Sequence, residues 1–276
     1  MNKLTRLALE TAIDAGKEIL RVFNSDDFGV RIKSDDSPLT EADLKSHQII
    51  NIALQETGIP VLSEEGTHQD YQERKEWHHL WIVDPLDGTK EFVKRSGEFT
   101  VNIALVETNR PVMGVVFAPY LGCLYWGDTE GAFKAQLPDG WLQQRANDIV
   151  SSLKADLLPL SLPKKMTVVA SVSHFSKETE QFVSALKERV GDVDLASRGS
   201  SLKMCLVAEG SAHIYPRLGP TMEWDTAAGQ AVVEAAGGHL LDWQTREAML
   251  YNRSELLNGW FLTLAKGLRP EDYWLI

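Results

Sequence analysis

Cysteine is nearly absent from this chain, with two in 276 residues, and neither Cys123 nor Cys205 belongs to a CxxC pair or lies near paired histidines. That excludes a disulfide framework and a thiolate zinc site, and predicts two reduced core thiols in a cytosolic protein. Basic excess is also lacking. Lys and Arg number 28 against 39 Asp and Glu, a formal charge of −11, which argues against a nucleic-acid polymer as partner. A small phosphorylated ligand stays open, because a few basic side chains or a divalent cation can reverse the field locally. No apolar run approaches the roughly 20 residues that span a bilayer. Lys3, Arg6 and Glu10 interrupt the first segment, so it does not read as a signal peptide. Repeats and low-complexity tracts are missing too. What remains is an ordinary globular composition, 43% hydrophobic and 24% charged.

Apolar spacing through Leu4, Leu7, Ala8, Ala12, Ala15, Ile19 and Phe23 predicts a helix over 3–23. A second is predicted after Pro38, with Thr40 as N-cap and Asp43 three residues on; Gly58 and Pro60 end it. Strands follow at Val61-Leu62 and at Leu80 to Val83, then a β-meander through residues 101–126. The polar, proline-dotted stretch 136–165 is the expected junction, dividing the chain into 1–140 and 141–276. Beyond it strands and helices alternate: strands near 167–170, 193–196, 212–215, 239–242 and 260–264, helices near 177–189, 201–209 and 225–236. The fold class is therefore α/β, a layered α+β sandwich.

The segment Asp84-Pro85-Leu86-Asp87-Gly88-Thr89 sets two carboxylates three residues apart, expected in a turn just past a buried strand. Like charges that close are unfavourable unless one is protonated or a cation lies between them. The available ligands are all oxygen, so the cation is hard: Mg²⁺, Mn²⁺ or Ca²⁺. Each feature has a plainer explanation. Asp-Pro-x-Asp-Gly suits any polar turn, Glu64-Glu65 a solvated surface, Asp225 a helix N-cap, and Asp43 the acid of a capping box. Lys203 would serve as a solvated helix residue, His174 as a helix cap, and Arg217 as the partner of a surface acid. Their joint occurrence is what favours chemistry.

Together these segments resemble the lithium-sensitive, magnesium-dependent phosphatases that include inositol monophosphatase and fructose 1,6-bisphosphatase. The resemblance rests on Asp84 to Thr89, Ser63-Glu64-Glu65, Trp224-Asp225-Thr226-Ala227-Ala228-Gly229 and Thr40 to Asp43, and it covers essentially the whole chain. It implies an αβαβα sugar-phosphatase-like architecture and two Mg²⁺ ions, with room for a third near Glu64. Glu64, Asp84 and the Leu86 carbonyl would hold one ion; Asp84, Asp87 and Asp225 the other. Gly88 and Thr89 amides would cradle phosphate, and Thr89 with Asp43 would orient or deprotonate the attacking water. Within that family the second half is similar to the 3'(2'),5'-bisphosphate nucleotidases, through Ser173-His174, Ser200-Ser201-Leu202-Lys203 and Tyr215-Pro216-Arg217-Leu218-Gly219. The implied substrate is adenosine 3',5'-bisphosphate, with its phosphosulfate analogue beside it. His174, Ser200, Lys203 and Arg217 would contact the second phosphate and the nucleoside. An inositol or sugar phosphate monoesterase with the same metal centre is the alternative, as is a metal- and ligand-binding relative without catalysis. The implied location is the cytoplasm, including the cytoplasmic face of the inner membrane.

Overall fold

In the computed structural model, residues 1–25, 29–32, 38–170 and 176–276 are described. Helix α1 (Lys3–Phe23) matches the expected span and is capped by Asn2, whose side chain accepts from the Thr5 N–H. A short hairpin of β1 (Arg31–Ile32) and β2 (Pro38–Leu39) leads to α2 (Glu41–Gln55). Thr40 is the N-cap of α2, as the sequence predicts, and Asp43 closes a capping box with it.

A seven-stranded sheet follows, with spatial order equal to chain order: β3 (Val61–Ser63), β4 (His79–Asp87), β5 (Thr100–Glu107), β6 (Arg110–Ala118), β7 (Cys123–Asp128), β8 (Gly131–Gln136) and β9 (Asp156–Leu157). Only β3 and β4 run parallel; every later pair is antiparallel. Two short helices, α3 (Tyr71–Arg74) and α4 (Thr89–Val93), flank β4. The stretch 136–165 carries α5 (Ala146–Ser152), which buries Ala146, Ile149 and Val150 in the core shared with α1, and then β9, the last strand of this sheet.

The second sheet has the order β11-β10-β12-β16-β14. It comprises β10 (Thr167–Val169), β11 (Asp194–Ala196), β12 (Ile214–Arg217), β14 (His239–Asp242) and β16 (Phe261–Leu264). The helices α6 (Lys177–Val190) and α7 (Leu202–Glu209) connect the parallel strands β10, β11 and β12. Strands β13 (Thr221–Met222) and β15 (Leu257–Asn258) form a small ribbon around the start of α8 (Glu223–Ala235).

Helices α1, α2 and α5 cover one face of the large sheet. Helices α7 and α8 lie between the two sheets, and α6 covers the far side of the second. The layers are thus αβαβα, the expected architecture. The middle layer holds Leu80, Ile82 and Val116 of the first sheet against Ala227, Ala228 and Val232 of α8 in one continuous core. Small residues make that contact possible. A Cβ added to Gly127 of β7 would lie 2.7 Å from the Ala231 carbonyl of α8, so the helix backbone rests directly on the sheet. Ala227, Ala228 and Gly229, which follow Asp225 in the sequence, are packing residues that let α8 bring its first turn to the end of β4.

Candidate active site

Strand β4 does not stop at Val83. It continues to Asp87 through a β-bulge: Asp84 lies opposite Asn102 and Asp87 opposite Thr100, so three steps on β4 match two on β5. The expected turn past the strand end is therefore a bulge inside the strand. Its polar groups are satisfied locally. Pro85 has no N–H to lose, its carbonyl accepts the Ser46 hydroxyl of α2 at 2.7 Å, and the Leu86 N–H donates to Asp84 Oδ1 at 3.0 Å. The extra residue turns both acids to one side. Gly88 then takes φ 90°, and a Cβ there would lie 3.2 Å from the Glu98 carbonyl, so only glycine fits this turn into α4.

Helix α8 supplies the third acid. Asp225 is not its N-cap, since the helix begins at Glu223; it sits in the first turn and accepts the Met222 N–H at 2.7 Å with Oδ2. One carboxylate oxygen from each of Asp84, Asp87 and Asp225 lies within 4.8 Å of the others. Burial is the first cause of raised pKa values in all three, and repulsion by nearby carboxylates adds to it. Asp84 is raised well above its ordinary range by burial and then by Glu64, Asp87 and Asp225. Asp225 is raised to about 8 by burial and then by Asp87. Asp87 reaches about 6, burial being opposed by Lys203 and by the Ser201 N–H. Three oxygen donors this close, one buried and two half-buried, fit a hard divalent cation, which would remove that cost. Glu64 extends the β3 pairing, its N–H donating to the Val83 carbonyl at 3.1 Å. It acts on Asp84 by charge but stands outside the group within 4.8 Å.

Asp43 is fully committed. Its Oδ2 accepts the Thr40 N–H and hydroxyl at 2.7 and 2.6 Å, and its Oδ1 accepts the Thr89 hydroxyl at 3.0 Å. The capping role and the link to Thr89 are both real, one on each oxygen. Burial raises its pKa against those hydrogen bonds. The Leu86 carbonyl lies 3.3 Å from the same Thr89 hydroxyl.

Beside the acids opens a cleft of about 140 Å³ lined by Asp87, Gly88, Ser200, Lys203, Arg217 and Asp225. Lys203 is not a solvated helix residue. It is 7% exposed, donates to the Ser200 carbonyl at 2.7 Å and the Arg198 carbonyl at 3.3 Å, and lies over the Tyr215 ring. Burial lowers its pKa, while Asp87 acts to raise it. Arg217 Nη2 donates to the Pro220 carbonyl at 3.0 Å, not to a surface acid. Ser200 has φ 45°, and its buried hydroxyl, like Arg217 Nε, has no partner among the described residues. These are donors that a bound anion would satisfy. His174, and Ser173 beside it, lie outside the described residues.

Sequence reading missed Tyr215, Thr221 and Phe261 in the cleft wall, and Glu98, whose Oε2 accepts the Gly199 N–H at 2.8 Å. Tyr215 stood within a quoted segment; Phe261 and Glu98 carried no local signal.

An acid cluster on a bulged strand and a helix start, in an αβαβα sandwich, defines a metal-dependent phosphatase. The chain belongs to the inositol monophosphatase family, whose profile matches residues 1–268. Over 255 residues it is 41% identical to the 3'(2'),5'-bisphosphate nucleotidase CysQ of Salmonella typhimurium, covering 91% of this chain and 96% of that protein. The CysQ nucleotidase of Haemophilus influenzae is 36% identical over 257 residues, 92% of this chain and 89% of that one. Among solved structures, CysQ from Bacteroides thetaiotaomicron superposes with a TM-score of 0.85 at 45% identity, covering 97% of this chain and 99% of that one. The extragenic suppressor protein suhB of Bartonella henselae, at 20% identity and TM-score 0.75 over 99% of this chain and 97% of that one, shares the fold.

Proposed function

We propose that the protein is a Mg²⁺-dependent 3'(2'),5'-bisphosphate nucleotidase that hydrolyses the 3'-phosphate of adenosine 3',5'-bisphosphate to AMP and phosphate. The phosphosulfate analogue is a second substrate of the same kind. The observation that carries this reading is the cleft that sets Lys203 and Arg217 against Asp87 and Asp225. A ligand with two phosphates needs a cation-binding acid cluster for one and fixed cations for the other, and both stand on the walls of one cavity. The 41% identity to a nucleotidase of that name supports the same substrate class.

Asp84, Asp87 and Asp225 would hold Mg²⁺, with Glu64 and the Leu86 carbonyl completing a two-ion set and a third ion near Glu64. When bound, such ions neutralise phosphoryl charge and lower the pKa of water. The chain's own residues do the rest. With its proton donated to Asp43 Oδ1, the Thr89 hydroxyl keeps lone pairs free to accept from the attacking water and orient it. As the water loses its proton, Thr89 receives it at Oγ1 and its own passes to Asp43, the buried acid. Gly88 and Thr89 amides would hold the scissile phosphate, and Arg217, Lys203, Ser200 and His174 the remaining phosphate and nucleoside. Residues 1–140 thus carry most of the metal site and 141–276 the specificity.

Among the described residues no helix is long and apolar enough to cross a membrane. Cys123 and Cys205 are both buried and free, which suits the reducing cytoplasm proposed as the site of action. The test is phosphate release from adenosine 3',5'-bisphosphate and from inositol 1-phosphate, with Mg²⁺ and with chelator. Faster turnover of inositol phosphate would overturn the nucleotide assignment, and full activity in chelator the metal one.

A further inference from the structure

The two acids flank the bulge in β4, at the point where the ladder changes register. Their cross-strand partners are Asn102 and Thr100. Between those two side chains sits a residue from a distant part of the chain. The Ser201 hydroxyl donates to Asn102 Oδ1 at 2.8 Å and lies 2.8 Å from Thr100 Oγ1. The same residue donates its backbone N–H to Asp87 Oδ2 at 2.6 Å. Thr100, Asn102 and Ser201 are 0, 1 and 2% exposed, so no solvent competes for these bonds. With Ser201 donating to Asn102, the proton between Ser201 and Thr100 comes from Thr100, so the Ser201 hydroxyl has one donor and one acceptor role. The free end of the network is Asn102 Nδ2, a buried donor with no partner among the described residues.

We infer that Ser201 is a positioning residue for the metal site, fixing Asp87 through its N–H and pinning the bulge through Thr100 and Asn102. One consequence concerns the substrate cleft. Ser201 immediately precedes α7, so Ser200 before it and Lys203 in the first turn of α7, both on the cleft wall, are seated by the same residue that holds Asp87. A hydrogen bond to one carboxylate oxygen directs the other toward the cation, and loss of such outer contacts costs about 10- to 100-fold in metal affinity. The inference rests on the reading of Asp87 as a Mg²⁺ ligand.

The experiment is Mg²⁺ titration of the chelator-treated protein, followed by thermal unfolding and by calorimetry, with no substrate present. Ser201→Ala removes the hydroxyl, and the near-isosteric Thr100→Val removes only its partner and keeps the test open if the first variant does not fold. Ser201→Thr retains the hydroxyl. Thr5→Val is the control, because it cuts another buried bond, Thr5 to Asp128 at 2.7 Å, far along the sheet from the acids. The expected result is a half-saturating Mg²⁺ concentration about 10-fold higher or more in Ser201→Ala, raised in Thr100→Val, and near wild type in Ser201→Thr and Thr5→Val. Destabilisation of Ser201→Ala and Thr100→Val with unchanged Mg²⁺ dependence, as in the control, would overturn the inference alone. A wild type that shows no response to Mg²⁺ would overturn the metal reading together with it.

Discussion

Thr89 donates its hydroxyl to Asp43 across 3.0 Å, joining the first residue after the metal turn to the first turn of a helix 46 residues earlier. The other oxygen of Asp43 is held by the Thr40 N–H and hydroxyl, which fixes the carboxylate plane. The Thr89 hydroxyl thus has its nearer acceptor in Asp43 Oδ1 and a second, the Leu86 carbonyl, at 3.3 Å.

If that hydroxyl orients the attacking water, Thr89→Val should lower kcat by about 100-fold or more, the usual size of a general-base contribution. Thr89→Ser should keep most of the activity. Steady-state kinetics on both variants, beside their melting temperatures, makes the comparison. A Thr89→Val enzyme with wild-type kcat would place water activation elsewhere.

Asp84→Asn should remove Mg²⁺ binding and lower turnover by at least about 100-fold, yet leave the metal-free protein as stable as wild type or more so. The reason is that Asp84 is crowded by Glu64, Asp87 and Asp225 in a buried site, so a neutral amide relieves repulsion. Unfolding in chelator tests the second half of this statement. A clear fall in stability there would mean that the carboxylate serves the fold.

Stability should fall with rising pH without metal and much less so with it. Asp87 and Asp225 titrate near 6 and 8 instead of the ordinary 3.8, so the folded chain binds more protons than the unfolded one between these limits. In chelator their contribution is full below pH 3.8 and is lost as pH rises through 6 and 8. A divalent cation favours the ionised forms and competes with those protons. The gain in melting temperature on adding Mg²⁺ should therefore grow from pH 5.5 to 8.5. A gain that is flat or shrinks over this range would contradict the assignment.

Arg217 and Lys203 should respond differently to truncation. Arg217 donates to a carbonyl while its Nε has no partner among the described residues, so Arg217→Ala should cost about 1.5–3 kcal/mol in kcat/KM on adenosine 3',5'-bisphosphate. A substrate with a single phosphate should be little affected. Lys203 holds two carbonyls of the loop and offsets the charge of Asp87, so Lys203→Ala should lose rate on both substrates. Equal losses on both substrates for Arg217→Ala would make it part of the scaffold.

What the sequence determined by itself is local. Helix α1 was legible because Ala8, Ala12, Ala15 and Ile19 repeat along one face that has nowhere to go but a core, and α2 because Thr40 and Asp43 cap it within three residues. The acids were legible because Asp84 and Asp87 crowd the same few residues, which has a chemical meaning in any fold. Tertiary structure alone decided the rest, since each remaining feature depends on a partner far along the chain. The bulge in β4 exists because β5 and Ser46 take up its hydrogen bonds. Lys203, which spacing alone would leave in solvent, is buried because Tyr215 and the Ser200 carbonyl enclose it. Asp225 meets Asp84 and Asp87 because Gly127 and its neighbours let α8 lie against the sheet backbone. The Ser201 bridge leaves no trace in spacing: Ser201 reads only as the start of a helix over 201–209 until Thr100, Asn102 and Asp87 are folded around it.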